Sequence, residues 1–313
     1  MIKFIFFRLV FAVLVMLGAA VLSFSLLALA PGNAAEAILV RERTEVPQLE
    51  EVRIFMERNG LNNPMLIRLS QWFQMISIGN LGTSLRTGEP VAKEFWSRFP
   101  ATLALAVASM LLAIIIALPL GVLSAVKRNL FMDHVIRMAS LSGVSMPNFW
   151  IGLLLILIFG VRLGWVPTYG YGSLKHLILP AITLATGMTA VLMRLQRASM
   201  LEVLNKNYIR TARAKGVPER AVIAKHAFRN TLIPVITIIG MQLAHLLSGV
   251  VIVEQVFAWP GIGHFLVDSI NARDYPVIQG FVLMIAGCFV ITNLVVDVLY
   301  ACLDPRVRYG GNH

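Results

Sequence analysis

Hydrophobic positions run along this chain in six long blocks, separated by polar stretches of very unequal length. A membrane-spanning helix needs about 20 mostly apolar residues. The blocks Leu9–Ala30, Ala101–Val126, Val135–Val161, Leu177–Met193, Thr231–Val256 and Gln279–Leu303 qualify. The fourth is short and holds Pro180 and Gly187, so its ends are the least defined. The pattern predicts an all-α polytopic membrane protein with six transmembrane helices. The first block follows Lys3 and Arg8, and Ala28-Leu29-Ala30 has the small residues of a signal-peptide cleavage site. Signal-peptide apolar regions, however, run only about 7–15 residues. Pro31 would also follow the cut, so the block reads as a retained helix.

The polar stretches divide the chain further. Residues 1–30 form the N-terminal segment and first helix, 31–100 an extracytoplasmic loop, 101–303 a core with five further helices, and 304–313 a tail. Within the long loop, Gln48–Asn59 alternates Glu and Arg with Leu49, Val52, Ile54 and Phe55, the pattern of a solvated amphipathic helix. Gly60–Pro64 ends it, and Leu66–Ile78 predicts a second helix with Trp72 and Phe73 at the membrane surface. Gly79, Gly82 and Gly88 mark a turn-rich stretch after it.

Composition agrees with the pattern: 58% of residues are hydrophobic and 14% charged, against roughly 25% charged in soluble domains. Mean hydropathy is +0.77. The net charge of +11 is explained by Lys and Arg held on the cytoplasmic side rather than by nucleic acid. Short-loop counts set the orientation. The turn after the second block has Lys127 and Arg128, residues 194–230 are strongly basic, and the tail has Arg306 and Arg308. The opposite loops carry only Arg162, Lys175 and Arg273. Both termini are therefore expected in the cytoplasm.

Candidate chemistry is sparse. No G-x-x-x-x-G-K-[ST] loop occurs, so nothing here cradles a nucleotide in the usual way. No H-E-x-x-H, G-x-S-x-G or Cys/His cluster occurs either. Cys288 and Cys302 fit neither a disulfide framework nor a metal motif. Apart from Arg137 at the edge of the third block, the spans hold few ionisable groups: His245, Glu254 and Asp297. His245 is the functional candidate among them, since an ionisable residue inside a span is one by default. Ion-coupled carriers line their paths with such groups, so the energy for any transport is expected from outside the membrane domain.

The polar segment 194–230 is placed to receive it. Gly216 breaks the helix-forming run that ends at Lys215. Pro218 and Glu219 suit the first turn of a new helix over Pro218–Phe228. That helix would present Ala221, Ile223, Ala224 and Phe228 as a mostly apolar surface. On charge alone, a basic loop on anionic lipid explains the segment equally well.

A family resemblance separates these readings. Tyr208-Ile209-Arg210-Thr211-Ala212-Arg213-Ala214-Lys215-Gly216, then Lys225-His226-Ala227-Phe228-Arg229-Asn230, resembles the coupling loop of inner-membrane permeases of ABC importers, in the dipeptide/oligopeptide/nickel branch. Arg210-Thr211-Ala212 stands where the general motif has Glu-Ala-Ala, and Gly216 keeps its place. The resemblance spans nearly the whole chain: Arg98–Leu103, Val144–Trp150, Leu179–Ala181, Phe257–Gly263, Arg273–Gln279, Asn293–Asp297 and Leu303–Tyr309 match in order and spacing. Pro31-Gly32-Asn33-Ala34 departs from the usual Pro-Gly-Asp-Pro.

The resemblance implies the type I importer permease fold in a bacterial inner membrane. Its coupling helix would lie between the fourth and fifth spans. It implies a second, related permease chain, two ATPases that bind ATP and Mg, and an extracytoplasmic substrate-binding protein. This chain itself would bind no cofactor and no metal and would not be an enzyme. Arg210, Thr211, Ala212, Lys215, Gly216, Ala221, Ile223, Ala224 and His226 would dock on an ATPase. Met146, Pro147, His245, Trp259, Pro260 and Gly261 would belong to the translocation path or its gate, although Trp259-Pro260-Gly261 reads equally well as a turn with an interfacial Trp. Tyr208–Gly216 and Lys225–Asn230 look like the peptide and glutathione members; Val144–Trp150, Tyr169–Gly172 and His176 look like the nickel members. A di- or oligopeptide or glutathione-like solute is the expectation, with nickel or a metal chelate as the alternative. A secondary transporter or channel acting alone would need paired broken helices and paths lined with intramembrane charges, and neither is evident in a pattern whose spans are nearly bare of such charges.

Overall fold

The computed structural model describes residues 2–29, 34–43 and 47–303. The tail motif Asp304–Tyr309 and the loop start Pro31–Asn33 lie outside the described residues. The described chain is helical, with α1 (Ile2–Leu29), α2 (Ala34–Arg43), α3 (Leu49–Arg58), α4 (Met65–Ser77), α5 (Val91–Val126), α6 (Phe131–Ser145) and α7 (Asn148–Leu155) in its first half. The second half holds α8 (Leu174–Leu204), α9 (Asn207–Ala214), α10 (Glu219–Ala221), α11 (Arg229–Val256), α12 (Ile262–Asn271) and α13 (Tyr275–Leu303). Two π-helical stretches, Ile156–Arg162 and Val222–Phe228, continue α7 and join α10 to α11.

Five helices among the described residues are long and apolar enough to cross a membrane, and six if one bent pair counts as a single span. That pair corrects the reading of Val135–Val161 as one helix: α6 and α7 meet at 107°. The cause is Met146-Pro147. Proline drives the residue before it out of the helical region, and Met146 is extended at φ −88°, ψ 131°.

Other boundaries shift outward. The second span begins at Val91, not Ala101. Polar turns are carried into the helix by Lys93–Glu89 at 2.8 Å and by the Arg98–Glu94 pair, one helical turn apart in each case. The fourth runs to Leu204, past the expected end at Met193. Segments α2 and α12 are helices where loop was expected. The two amphipathic loop helices form where the pattern put them. At the start of α3, the Gln48 amide donates to the Glu51 carboxylate in a capping box.

The fold divides into two compact units, residues 1–102 with 260–291, and 103–259 with 292–313. In the first, Val91, Phe95, Ile262, Phe265, Val277 and Phe281 form the core. The Phe95 and Phe281 rings meet edge to face at 5.2 Å. A second cluster packs Ala20 and Phe24 of α1 on Trp72 and Leu283. The turn before α5 is pinned by buried Asp274, which accepts from Ser84 Oγ at 2.5 Å and from the Leu85 amide at 3.1 Å. In the second unit, α8 packs against α6, α7 and α11. Small residues bring helices of this unit close, α5 and α8 among them, as they do in membranes. A Cβ on Gly121 would lie 2.7 Å from Gln196 Cβ and 2.9 Å from the Met193 carbonyl oxygen.

Candidate functional site

The basic segment 194–230 folds as the end of α8, the short helix α9, a bend, and a second helix. Polar residues Arg194–Leu204 are simply the last turns of α8. Helix α9 closes with a hydrogen-bond pair that the sequence dictates. The Gly216 amide donates to Arg213 O at 2.9 Å, and the Val217 amide to Ala212 O at 3.2 Å. This is a Schellman termination, and it places Gly216 at φ +76°, where a side chain is strained. No atom stands within 4 Å of where a Gly216 Cβ would be. The glycine is therefore required by backbone conformation rather than by crowding.

Arg213 and Glu219 then hold the two sides of the bend together with a bidentate pair, 3.0 and 2.6 Å. This contact was not foreseen, although both residues stand in the sequence beside the glycine. The Arg213 guanidinium has its pKa raised by this hydrogen bond.

Beyond the bend the outcome differs from the expected Pro218–Phe228 helix. Pro218 precedes the helix, which starts at Glu219 and does not stop at Phe228. Residues 222–228 form a wide π-helical turn, and the run continues as α11 to Val256. Nothing between Glu219 and Asn230 breaks a helix: no glycine or proline occurs there, and polar Arg229 and Asn230 are simply exposed. Pro234 lies inside α11, beyond the π turn.

The segment is anchored by fully buried Ile209, Val222 and Ala227, packed with Met200 and Ala125. On this base, Arg210, Thr211, Lys215 and Gly216 are exposed, and Ala212, Ala221 and His226 half-buried. Ile223 and Ala224 are brought to a different place. With Phe228 they line a groove whose other wall is Leu118, Pro119, Val122, Leu123 and Val126 of α5. The outward face of the bend is thus mainly α9 and the Lys215-Gly216 corner, not the apolar stripe Ala221, Ile223, Ala224 and Phe228.

Next to this element is a buried ionic cluster that pattern reading passed over. Asp133, fully buried, accepts from Arg197 Nε at 2.8 Å and Nη2 at 2.9 Å. It also accepts from Ser124 Oγ at 2.5 Å and from the Asn129 amide at 2.9 Å. One carboxylate so ties α5, the α5–α6 turn, α6 and α8 together. Its signal was an acid just before the third apolar block, in a turn that is otherwise basic.

The path candidates separate. Met146 lines a cavity of about 290 Å³ with Asn148, Gly187, Met188, Gln242 and Leu246, between α6, α7, α8 and α11. Pro147 makes the bend beside it. His245 is on α11, but its side chain lies outside the described residues, as does that of Asp297. Trp259 is only 2% exposed and meets Tyr171 edge to face at 4.8 Å, so its ring is packed rather than presented. Gly261, in the other unit, precedes α12 in extended conformation, and the Ile262 amide donates to Thr102 Oγ1 at 2.9 Å.

Residues 117–309, which contain the bend, the ionic cluster and the cavity, match the family described as "Binding-protein-dependent transport system inner membrane component". The chain belongs to this family. It is therefore a multi-pass inner-membrane permease component of a transport system that works with a substrate-binding protein.

Curated relatives agree over nearly the full length. The dipeptide transport system permease protein of Alkalihalophilus pseudofirmus is 41% identical over 96% of this chain and 98% of its own. The oligopeptide transport system permease protein of Bacillus subtilis is 42% identical over 96% and 98%. The glutathione transport system permease protein of Salmonella typhi is 41% identical over 99% and 100%. Among solved structures, the MetNI methionine ABC transporter aligns with a TM-score of 0.55 at 20% identity, over 65% of this chain and 93% of that one. An amino acid ABC transporter crystallised with histidines aligns at 0.53 and 16%, over 69% and 94%. These two likenesses concern the fold.

Proposed function

We propose that this chain is one of two related permease subunits that enclose the path of an ATP-driven importer for small peptides, glutathione-like peptides included. The α6–α7 pair counts as one bent span in this reading, which gives six spans and both termini in the cytoplasm. Two ATPases dock below. Arg210, Thr211, Lys215 and Gly216 supply the outward contact surface, and buried Ile209, Val222 and Ala227 transmit force into α8 and α11. Ala212, Ala221 and His226 flank that surface, and Ile223 and Ala224 brace it against α5. No cofactor is held by this chain; ATP and Mg belong to the partners. The observation that carries the reading is the bend at Gly216 within a chain whose full-length relatives are named for dipeptide, oligopeptide and glutathione transport.

The cavity at Met146 fits such a role chemically. Apart from Asn148 and Gln242 its lining is apolar or glycine. Neutral amides hydrogen-bond a peptide backbone without holding a charge, so passage does not stall in a deep well. The test is uptake of a labelled dipeptide, and separately of labelled glutathione, by cells lacking the gene and by the same cells complemented. Restored ATP-dependent accumulation of either supports the reading. Restored nickel accumulation, with no peptide uptake, overturns the solute assignment.

A further inference from the structure

The first unit holds a cavity of about 220 Å³ that the transport reading leaves unused. Arg68, Gln71, Trp72, Thr83, Tyr275 and Gln279 are among its lining residues, and no acidic side chain is. Trp72 and Gln279 are only 4% and 5% exposed. The Trp72 indole N–H is buried with no acceptor among the described residues. Arg68 is half-buried, and burial pushes its pKa below the ordinary arginine value. No carboxylate among the described residues pairs with it. Its guanidinium stands instead 5.9 Å from the ring centroids of both Phe24 and Tyr275. Two ring faces offset part of the cost of desolvating a cation, and a buried charge without a counter-ion remains unfavourable. The cavity therefore has the donors for an oxyanion and none of the groups that would repel one.

Its depth selects the oxyanion. Phe24 lies one turn before the end of the apolar stretch Val10–Leu27, and Tyr275 opens the stretch Tyr275–Val296. The cavity so sits where two spans reach the edge of the hydrocarbon. Phospholipid phosphates occupy this layer, and Trp and Tyr are enriched there. On the cytoplasmic side, basic pockets between membrane helices bind lipid headgroups, and the same charge pairing is available to a guanidinium at the outer phosphate layer. We propose that the Arg68 cavity binds the phosphodiester of a membrane phospholipid, with the guanidinium as the anchoring charge and the acyl chains lying along α1. This inference needs only the membrane location of the chain and stands apart from its solute.

The test is native mass spectrometry of the full-length chain, expressed with its partner subunits, purified in mild detergent and titrated with phosphatidylglycerol. One tightly retained lipid is expected on the wild type. Arg68→Gln, which removes a charge-assisted fork, should weaken its retention by about tenfold. Arg58→Gln, an exposed basic residue outside the cavity, should leave it unchanged. Equal retention by wild type and Arg68→Gln overturns the site, and equal loss in both variants reduces it to general surface charge. Displacement of the lipid by millimolar inorganic phosphate overturns the lipid assignment in favour of a free anion. Loss of binding-protein docking in Arg68→Gln, with lipid retention intact, makes the cavity a protein contact and also overturns it. Should Arg68→Gln fail to assemble, Arg68→Lys keeps the charge without the planar fork. A several-fold weakening is expected there, and unchanged retention again sinks the proposal.

Discussion

Gly216 is the residue on which the functional reading depends most. At φ +76° any side chain costs about 1 kcal/mol or more. The space around it is open, so the cost is conformational and local. Gly216→Asp should leave membrane insertion intact but release the ATPases or uncouple ATP hydrolysis from uptake. Wild-type transport by this variant with the ATPases still bound would remove the bend from the coupling role. Arg213→Ala probes the same corner more gently. The pair it breaks is exposed on both sides, with side chains 41% and 55% accessible, and such pairs contribute about 1 kcal/mol at most. A small, salt-dependent loss of coupling is expected, measured as uptake per ATP hydrolysed at low and high ionic strength. Asp133 is the opposite case. It is fully buried under Arg197, and removing one partner of a buried pair costs on the order of 3 kcal/mol. Asp133→Ala should lower the melting temperature of the purified complex far more than Arg213→Ala does. A melting curve unchanged from wild type would show that the cluster is not a structural tie.

Among the elements, what the sequence displayed and what it hid follow from two kinds of signal. Apolar blocks are long and repetitive, so the spans and the two amphipathic loop helices stood out. Gly216 stood out because few residues tolerate its backbone angle. Hidden were features that depend on one or two residues meeting from afar. The 107° break at Met146-Pro147 looks like continuous hydrophobicity on a hydropathy scale, though the proline is in plain view. The Asp133–Arg197 pair joins residues 64 positions apart. The helical run through 219–256 was missed because polarity was taken as a boundary, whereas a helix outside lipid is indifferent to it. Close helix contacts were also invisible. A Gly121 Cβ would strike Gln196 and a backbone oxygen, neither a flexible side-chain tip. Gly121→Ala should therefore destabilise the second unit by about 1–3 kcal/mol, readable as a lower melting temperature. An unchanged value would mean that α5 and α8 can part without penalty.

For the molecule as a whole, the expected topology puts loop residues 36–57 outside and 210–220 inside. Cysteines placed in Glu36–Glu57 should react with an impermeant thiol reagent in intact cells, and those in Arg210–Arg220 should not; the reverse pattern would invert the assignment. One consequence lies in the helical run that leaves the bend. From Glu219 to Val256 the chain is wound without a break, and Gln242 and Leu246 on it face the cavity beside Met146. A helix advances ~100° per residue, so the number of residues between bend and cavity sets the angular phase of one against the other. A single residue inserted between Phe228 and Gln242 would swing the cavity wall by that angle while leaving the residues of the bend in place. Within this run, the π-helical stretch 222–228 already spaces its turns differently. The length of this run, and not only its side chains, therefore fixes how the bend and the cavity wall face one another.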